Sequence, residues 1–80
     1  MPEPPLLPPR LVIKILIGEG FRPRNARGTD QVYKRVTEEG TRTVTVATHG
    51  KQIPRGTIRS LCRQAGWSIE DLITLVEKYG

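Results

Sequence analysis

The stretch Val44–Trp67 constrains the fold more than any other part of the chain, because it joins a strand, a turn and a basic helix without a break. Residues 42–48 are rich in β-branched side chains, which favour a strand, and His49-Gly50 then begins a turn. Pro54 opens a helical pattern with apolar residues on one face and arginines on another. The apolar residues are Ile58, Leu61, Cys62 and Ala65, and the arginines are Arg55, Arg59 and Arg63. One face is therefore predicted to be buried and the other to be positively charged.

The length and charge of the chain limit what it can be. Its 80 residues leave room for one domain with a small core. The formal net charge is +5, with 13 Lys and Arg spread over the chain against 8 Asp and Glu. This balance favours a polyanion as partner, and a basic domain with no role in nucleic-acid binding is the alternative.

The cellular location is predicted from one cysteine and one short apolar run. Cys62 cannot form an internal disulfide or a cysteine metal cluster, and its place in the apolar stripe indicates a buried thiol in a reducing compartment. The run from Leu11 to Ile17 contains Lys14 and is shorter than the roughly 20 residues that span a bilayer. The amino terminus lacks the features of a signal peptide. We therefore expect a cytoplasmic protein that has no membrane contact.

The amino-terminal third is predicted to contain a tail, a helix and a weak strand. Residues 1–9 are rich in proline and are expected to form a flexible or extended tail, which leaves a single domain over residues 10–80. Residues 10–18 fit a strand or a helix, and Pro9 before them and the glycines after them favour a helix. Residues 21–25 form a weak strand, placed at a sheet edge by Pro23.

The remaining segments predict a hairpin and two helices. Residues 31–36 alternate as a half-buried strand does, and the polar turn at 37–41 leads back into the strand at 42–48. Gly66 is expected to end the basic helix. Ser68 and Asp71 form a partial capping box for a last helix. The apolar stripe of that helix is Ile69, Leu72, Ile73 and Val76. Trp67 lies between the two helices and is predicted to contact the core rather than to stack on a base.

Three segments of the chain resemble a known family. THGKQIPRGTIRSLCRQAGW is similar to the carboxy-terminal half of HicA-type toxins, in which a Val/Thr strand, a His-Gly turn and Pro-x-Gly-Thr-hydrophobic-Arg-Ser precede a helix ending in Ala-Gly. Gly20-Phe21 matches the end of their first helix, and Gly28-Thr29-Asp30-Gln31-Val32-Tyr33 matches their Gly-Ser-His-x-hydrophobic-Tyr segment. The resemblance runs from about Arg10 to Trp67. It departs at Asp30, which occupies the position of the catalytic histidine.

The resemblance implies a fold, an activity and a partner. The implied fold is α+β, the double-stranded-RNA-binding-domain-like order α-β-β-β-α, here with an additional C-terminal helix. The implied activity is a metal-independent endoribonuclease that needs no cofactor, cuts mRNA and is inhibited by a HicB-type antitoxin. The implied catalytic position is Asp30. The RNA-binding positions carried over, or adjacent to the family's basic positions, are Arg27, Lys34, His49, Lys51, Arg55, Arg59 and Arg63, of which His49 has a supporting role at most. Phosphate contacts of this kind predict loose sequence preference.

Asp30 admits three hypotheses. Histidine exchanges a proton readily at neutral pH, whereas an aspartate carboxylate is a weak base that also repels phosphate. Asp30 is therefore either a turn residue that binds local backbone amides, or a working base strengthened by burial or a ligand of a divalent ion, or the mark of an activity that is lost or has moved. His49 is the only histidine that could have taken over.

Two alternative functions follow from the same residues. Asp30 makes a non-catalytic module, which binds RNA or an antitoxin without cutting, a serious alternative. The spacing from Ile58 to Val76 also resembles a helix-turn-helix DNA-binding module with Gly66 in its turn. Its recognition helix would begin at Ser68-Ile69-Glu70-Asp71, and the two carboxylates there argue against contact with DNA.

Overall fold

In the computed structural model, a sheet of three antiparallel strands carries three helices on one face, over the residues that it describes. Those residues are 3–27, 30–48 and 50–80, without the side chains of 25–27. The elements in chain order are α1 (Pro9–Gly18), β1 (Arg22–Arg27), β2 (Asp30–Thr37), β3 (Gly40–Ala47), α2 (Arg55–Ala65) and α3 (Ile69–Tyr79). The predicted order α-β-β-β-α with an additional C-terminal helix is confirmed.

The first helix forms where a strand was also compatible with the sequence. Pro9 lies in its first turn, where a missing N–H breaks no helical hydrogen bond. Its buried face includes Val12, Ile15 and Leu16, which recur at helical spacing. The helix ends before Gly20, whose φ of 97° favours glycine. Its predicted helical state is confirmed, with a start at Pro9 instead of Arg10.

The segment before α1 differs from the expected flexible tail. Pro4 and Leu7 are buried, and Leu7 belongs to the main apolar core. The backbone N–H of Ile53 donates to the carbonyl oxygen of Leu7 over 2.7 Å, which ties this segment to the chain just before α2. Proline does favour an extended backbone here, but the segment is held against the core because the apolar side chain of Leu7, between the prolines, is buried.

The sheet has one covered face and one open face. Its order is β1-β2-β3, and β2 pairs with β3 from Asp30 opposite Ala47 to Thr37 opposite Gly40. Tyr33, Val44 and Val46 point to the helices and are buried. The alternate residues point the other way, and Val36 among them is 79% exposed. The half-buried strand predicted from the alternation in β2 is confirmed, and Tyr33 lies on its inner face.

Both outer strands have features that hinder pairing with another strand. Pro23 lies in β1, and the register of β1 against β2 shifts between Pro23 and Ala26. At the other edge, the backbone N–H of Thr45 donates to the side-chain oxygen of Gln64 over 3.1 Å. The side chain from α2 satisfies a donor that would otherwise be available to an incoming strand.

The last two helices are amphipathic, as predicted, but they bury different amounts of surface. All four apolar residues predicted for α2 are buried. In α3, Leu72 is buried, while Ile69, Ile73 and Val76 are partly exposed. Gly66 ends α2 in the left-handed conformation with a φ of 84°. In the described part of the chain, no helix has the length and apolar character needed to cross a membrane.

Cys62 confirms the prediction of a buried thiol. It lies on the inner face of α2 and is 2% exposed. Burial raises the pKa of the Cys62 thiol to about 11, and the negative charge of Asp71 contributes to the same increase. The thiol therefore stays protonated and unreactive at neutral pH.

Candidate nucleic-acid interface

Asp30 lies at the end of the sheet where β2 begins and β3 ends. It pairs with Ala47 on β3 and with Arg27 on β1, and its side chain is exposed. Paired residues of an antiparallel sheet share a face, so the three positions lie together on the open face. An exposed side chain does not fit the hypothesis of a base strengthened by burial.

The first turn of α2 lies at this same end of the sheet. Ala47 lines a hollow of about 340 Å³ together with Pro54 and Thr57. Arg55, between those two residues, is exposed, and so is Lys51 in the preceding loop. The structure therefore places Asp30, Lys51 and the start of α2 at one end of the molecule.

The first turn of α2 contains no acidic residue. Pro54 is the N-cap residue and has an extended backbone, and no side chain caps the helix. The first backbone N–H groups of a helix have no partner within the helix and attract anions. Together with Arg55, they favour an anion at the start of α2.

One ion pair modifies that end. Arg55 Nε lies 3.9 Å from a carboxylate oxygen of Glu3, and the side chains are 55% and 79% exposed. Exposed pairs of this length contribute less than about 1 kcal/mol to stability. The pair is therefore weak enough for a phosphate to replace Glu3 at Arg55.

Arg59 and Arg63 follow Arg55 along α2, on the side of the helix that faces away from β3. Gln64 faces the edge of β3, and Arg59 lies about 140° away from it around the helix axis. Arg59, Arg63 and Trp67 line a groove of about 290 Å³ that continues to Ser68 at the start of α3. We call it the α2 groove. Its two arginines thus point away from the sheet edge.

The other predicted RNA-binding residues lie apart from this row of arginines or outside the described part. Lys34 is exposed on the open sheet face, where it pairs with Arg22 on β1 and Thr43 on β3. His49 and the side chain of Arg27 lie outside the described residues. Among the described residues, Arg55, Arg59 and Arg63 therefore follow one another along α2 at a spacing of four residues, whereas Lys34 lies apart from that row on the open face of the sheet.

Among the described residues, no group of three or more His, Cys, Asp or Glu side chains could hold a metal ion. The hypothesis that Asp30 binds a divalent ion accordingly has no further carboxylate or imidazole to support it in that part of the chain. One carboxylate alone is a poor site for Mg²⁺ or Ca²⁺.

The start of α3 has the opposite charge from the start of α2. The side chain of Ser68 accepts from the N–H of Asp71, and the carboxylate of Asp71 accepts from the N–H of Ser68, each over 3.0 Å. Glu70 and Asp71 occupy the first turn. In a helix-turn-helix arrangement this end would meet DNA phosphates, so its two carboxylates weigh against that alternative.

Two arginines, Arg35 and Arg42, lie outside the segments that the sequence indicates as functional. They pair with each other across β2 and β3, on the face that the helices cover. Neither residue belongs to a sequence motif, so the sequence alone did not predict a role for them. A signal was nevertheless present, because Arg42 has the same strand parity as Val44 and Val46 and must therefore share their face.

A comparison with protein families matches most of this chain. A family model described as the HicA toxin of bacterial toxin-antitoxin systems matches residues 9–67. The match covers α1, the sheet and α2, and it ends before α3. No curated protein matches the chain.

Proposed function

This chain belongs to the HicA family of toxins from bacterial toxin-antitoxin systems, and we propose that it binds single-stranded RNA and cuts it slowly, because Asp30 replaces the family's histidine. The observation that carries the proposal is the common position of Asp30 and the start of α2 at one end of the molecule. Family membership also implies a protein antitoxin as partner, and we propose that it is of the HicB type.

The charges at this end support RNA binding. Lys51 and Arg55 are exposed there, and the helix start offers backbone N–H groups to a phosphate. If five phosphates are contacted in total, the logarithm of the affinity should fall with the logarithm of salt concentration with a slope of roughly −3.5. Such contacts position a strand without reading its bases.

The chemistry needs one proton acceptor beside a ribose. A base removes the proton of the 2'-hydroxyl, the oxygen attacks the adjacent phosphorus, and the 5'-oxygen leaves with a proton from an acid or water. The products are a 2',3'-cyclic phosphate and a 5'-hydroxyl. Asp30 is a weaker acceptor than histidine, and its charge opposes the approaching phosphate. The proposed site therefore still binds RNA but cleaves it much more slowly than a site with histidine.

The test restores the histidine. We expect Asp30→His to cut a labelled single-stranded RNA about 10² to 10⁴ times faster than the native chain, in the presence of EDTA, because a well-placed general base contributes about that factor. Thr43→His is the matched control, since it places a histidine on the same open face of the sheet at a distance from the α2 start. Asp30→Ala tests whether the carboxylate itself acts as a base.

The outcomes separate the parts of the proposal. A gain in Asp30→His with none in Thr43→His would support an intact scaffold with a weakened base. Equal rates in the native chain, Asp30→His and Thr43→His would refute the proposed site. Cleavage abolished by EDTA would contradict a metal-independent reaction, and RNA binding that does not respond to salt would contradict the phosphate contacts.

A non-catalytic RNA- or antitoxin-binding module is the second candidate, and the exposed carboxylate of Asp30 favours it. It predicts salt-dependent RNA binding with no cyclic-phosphate product from the native chain, even after long incubation. Cleavage by the native chain that Asp30→Ala abolishes would exclude it.

A further inference from the structure

Arg35 and Arg42 form a pair of like charges at the far end of the sheet from Asp30. They lie opposite each other on β2 and β3, and both are exposed. Neither makes an ion pair with a carboxylate among the described residues, although Glu38 and Glu39 lie in the turn between their strands. Like charges directly opposite each other destabilise a sheet. An anion between the two guanidinium groups would remove that repulsion.

The pair lines an open cleft of about 500 Å³ between the hairpin and the end of α2. We call it the hairpin cleft; the residues that matter here are Arg35, Glu38, Glu39, Arg42, Gly66 and Trp67. A methyl group on Gly66 would lie 3.0 Å from the central guanidinium carbon of Arg42. Arg42 thus lies against the C-terminal end of α2, whose partial negative charge attracts it. The volume falls within the range of small-molecule sites, about 300 to 1,000 Å³.

Trp67 forms a wall of the hairpin cleft and also of the α2 groove. Its ring meets the ring of Phe21 edge to face, with centroids 5.9 Å apart, and its backbone N–H donates to Cys62 over 2.9 Å. The residue is partly buried against the core and partly exposed. A fixed aromatic ring between two depressions that each contain two arginines can stack on a base at little cost in side-chain entropy.

We infer that the hairpin cleft is an RNA subsite beyond the proposed cleavage position, with one phosphate between Arg35 and Arg42 and one base against Trp67. The inference rests on the proposed RNA binding. The two turn carboxylates balance much of the charge of the arginine pair, which favours a single phosphate over a polyphosphate. A strand that follows Arg59 and Arg63 along the α2 groove reaches the cleft by passing Trp67.

The hairpin cleft contributes to affinity only when the RNA is long enough to reach it from Asp30. Arg35 lies five residues along β2 from Asp30, or about 17 Å, and on the opposite face of the sheet. A dinucleotide at Asp30 cannot reach that far, whereas an oligonucleotide of ten or so residues can. The contribution of the subsite therefore depends on the length of the RNA.

The test measures the affinity of a single-stranded RNA of about 12 nucleotides, and of a dinucleotide, for the full chain. We expect Arg35→Gln and Arg42→Gln to weaken the longer RNA about 3- to 10-fold each and to make the salt slope shallower by roughly 0.7. Arg10→Gln is the matched control for lost charge, because Arg10 is an exposed residue of α1, beside Tyr79. It should change the affinity less than twofold.

Trp67 is tested by two substitutions. Trp67→Leu should weaken the longer RNA about 5- to 150-fold, and Trp67→Phe should keep most of the affinity because a ring remains to stack. Thermal unfolding of each variant checks that Phe21 and its neighbours stay folded. The arginine variants do not alter the core, so they test the subsite even if Trp67→Leu unfolds.

The result that overturns the subsite is native affinity for the longer RNA in Arg35→Gln and Arg42→Gln while Arg55→Gln weakens it. An acidic peptide that binds the cleft without displacing RNA would overturn it in favour of a protein ligand. If the native chain binds no RNA at all, both the subsite and the proposed function fail. If only the subsite fails, the native chain still binds RNA, so the two failures are distinguishable.

Discussion

The helices α2 and α3 have the same length of 11 residues but are stabilised in different ways. α2 buries four residues, has no side-chain cap and carries three exposed arginines. α3 buries Leu72, has a complete capping box and holds Glu70 and Asp71 near its own positive end. A helix fixed by its buried face can leave its start and its surface to a ligand, whereas a helix with little burial depends on its caps. The family match includes α2 and ends before α3.

The largest expected effect is a cavity under α2. Leu61 is 1% exposed, so Leu61→Ala should lower the free energy of unfolding by about 2 to 5 kcal/mol. Val76→Ala removes a partly buried side chain from α3 and should cost about 1 kcal/mol. Urea denaturation monitored by circular dichroism measures both. Equal losses would contradict the view that α2 depends on burial more than α3 does.

The next effect is a loss of stability in alkali. The pKa of Cys62 is raised from 9.0 to about 11 in the folded state, so the unfolded chain loses its thiol proton first as pH rises. The contribution is complete below about pH 9 and is lost as pH approaches 11, with a total of about 2 to 3 kcal/mol. Urea denaturation at several pH values measures it. Cys62→Ala should remove this part of the pH dependence, and an unchanged slope in that variant would refute the assignment.

A smaller effect is expected where α3 meets α1. A methyl group at Gly18 would overlap the ring of Tyr79, whose hydroxyl donates to Glu19 over 2.7 Å. Gly18→Ala should displace that ring and cost about 1 to 2 kcal/mol in thermal or urea unfolding. In a Tyr79→Ala background the same substitution should cost much less, since the overlap is gone. If the losses of Gly18→Ala and Tyr79→Ala simply add in the double variant, the ring of Tyr79 does not limit the size of the side chain at position 18.

The smallest effect concerns the cap of α3. Ser68→Ala removes the side chain that accepts from Asp71 and should cost about 1 kcal/mol. Thr74→Ala in the middle of the same helix is a control of similar size and should cost less. Urea denaturation compares the two. A loss in Ser68→Ala no greater than that in Thr74→Ala would indicate that the capping box contributes little to α3.

Much of the fold was predictable because the signals are local. Pro9 and the glycines after residue 17 mark the ends of α1, Gly66 marks the end of α2, and Ser68 with Asp71 marks the start of α3. Each signal acts through the backbone of neighbouring residues. The amino-terminal segment was predicted less well, because the burial of Leu7 depends on Ile53, which is distant in the sequence.

The candidate site was predictable only in its composition. The motif selected Asp30 and the arginines of α2, but helical spacing could not tell that Arg59 and Arg63 line a groove with Trp67, away from the sheet edge. That outcome depends on which side of α2 meets β3, and Gln64 takes that side. No sequence motif contains the position of a helix relative to a sheet.

The sequence by itself determined the order of the elements, the buried stripe of α2 and the positive charge of its other face, because periodicity and caps act within one segment. Only the tertiary structure decided that Asp30 and the start of α2 share one end, and that Arg35, Arg42 and Trp67 line one cleft. Those neighbours are far apart in the chain. Strand register and helix docking bring them together, and both are set by the core as a whole.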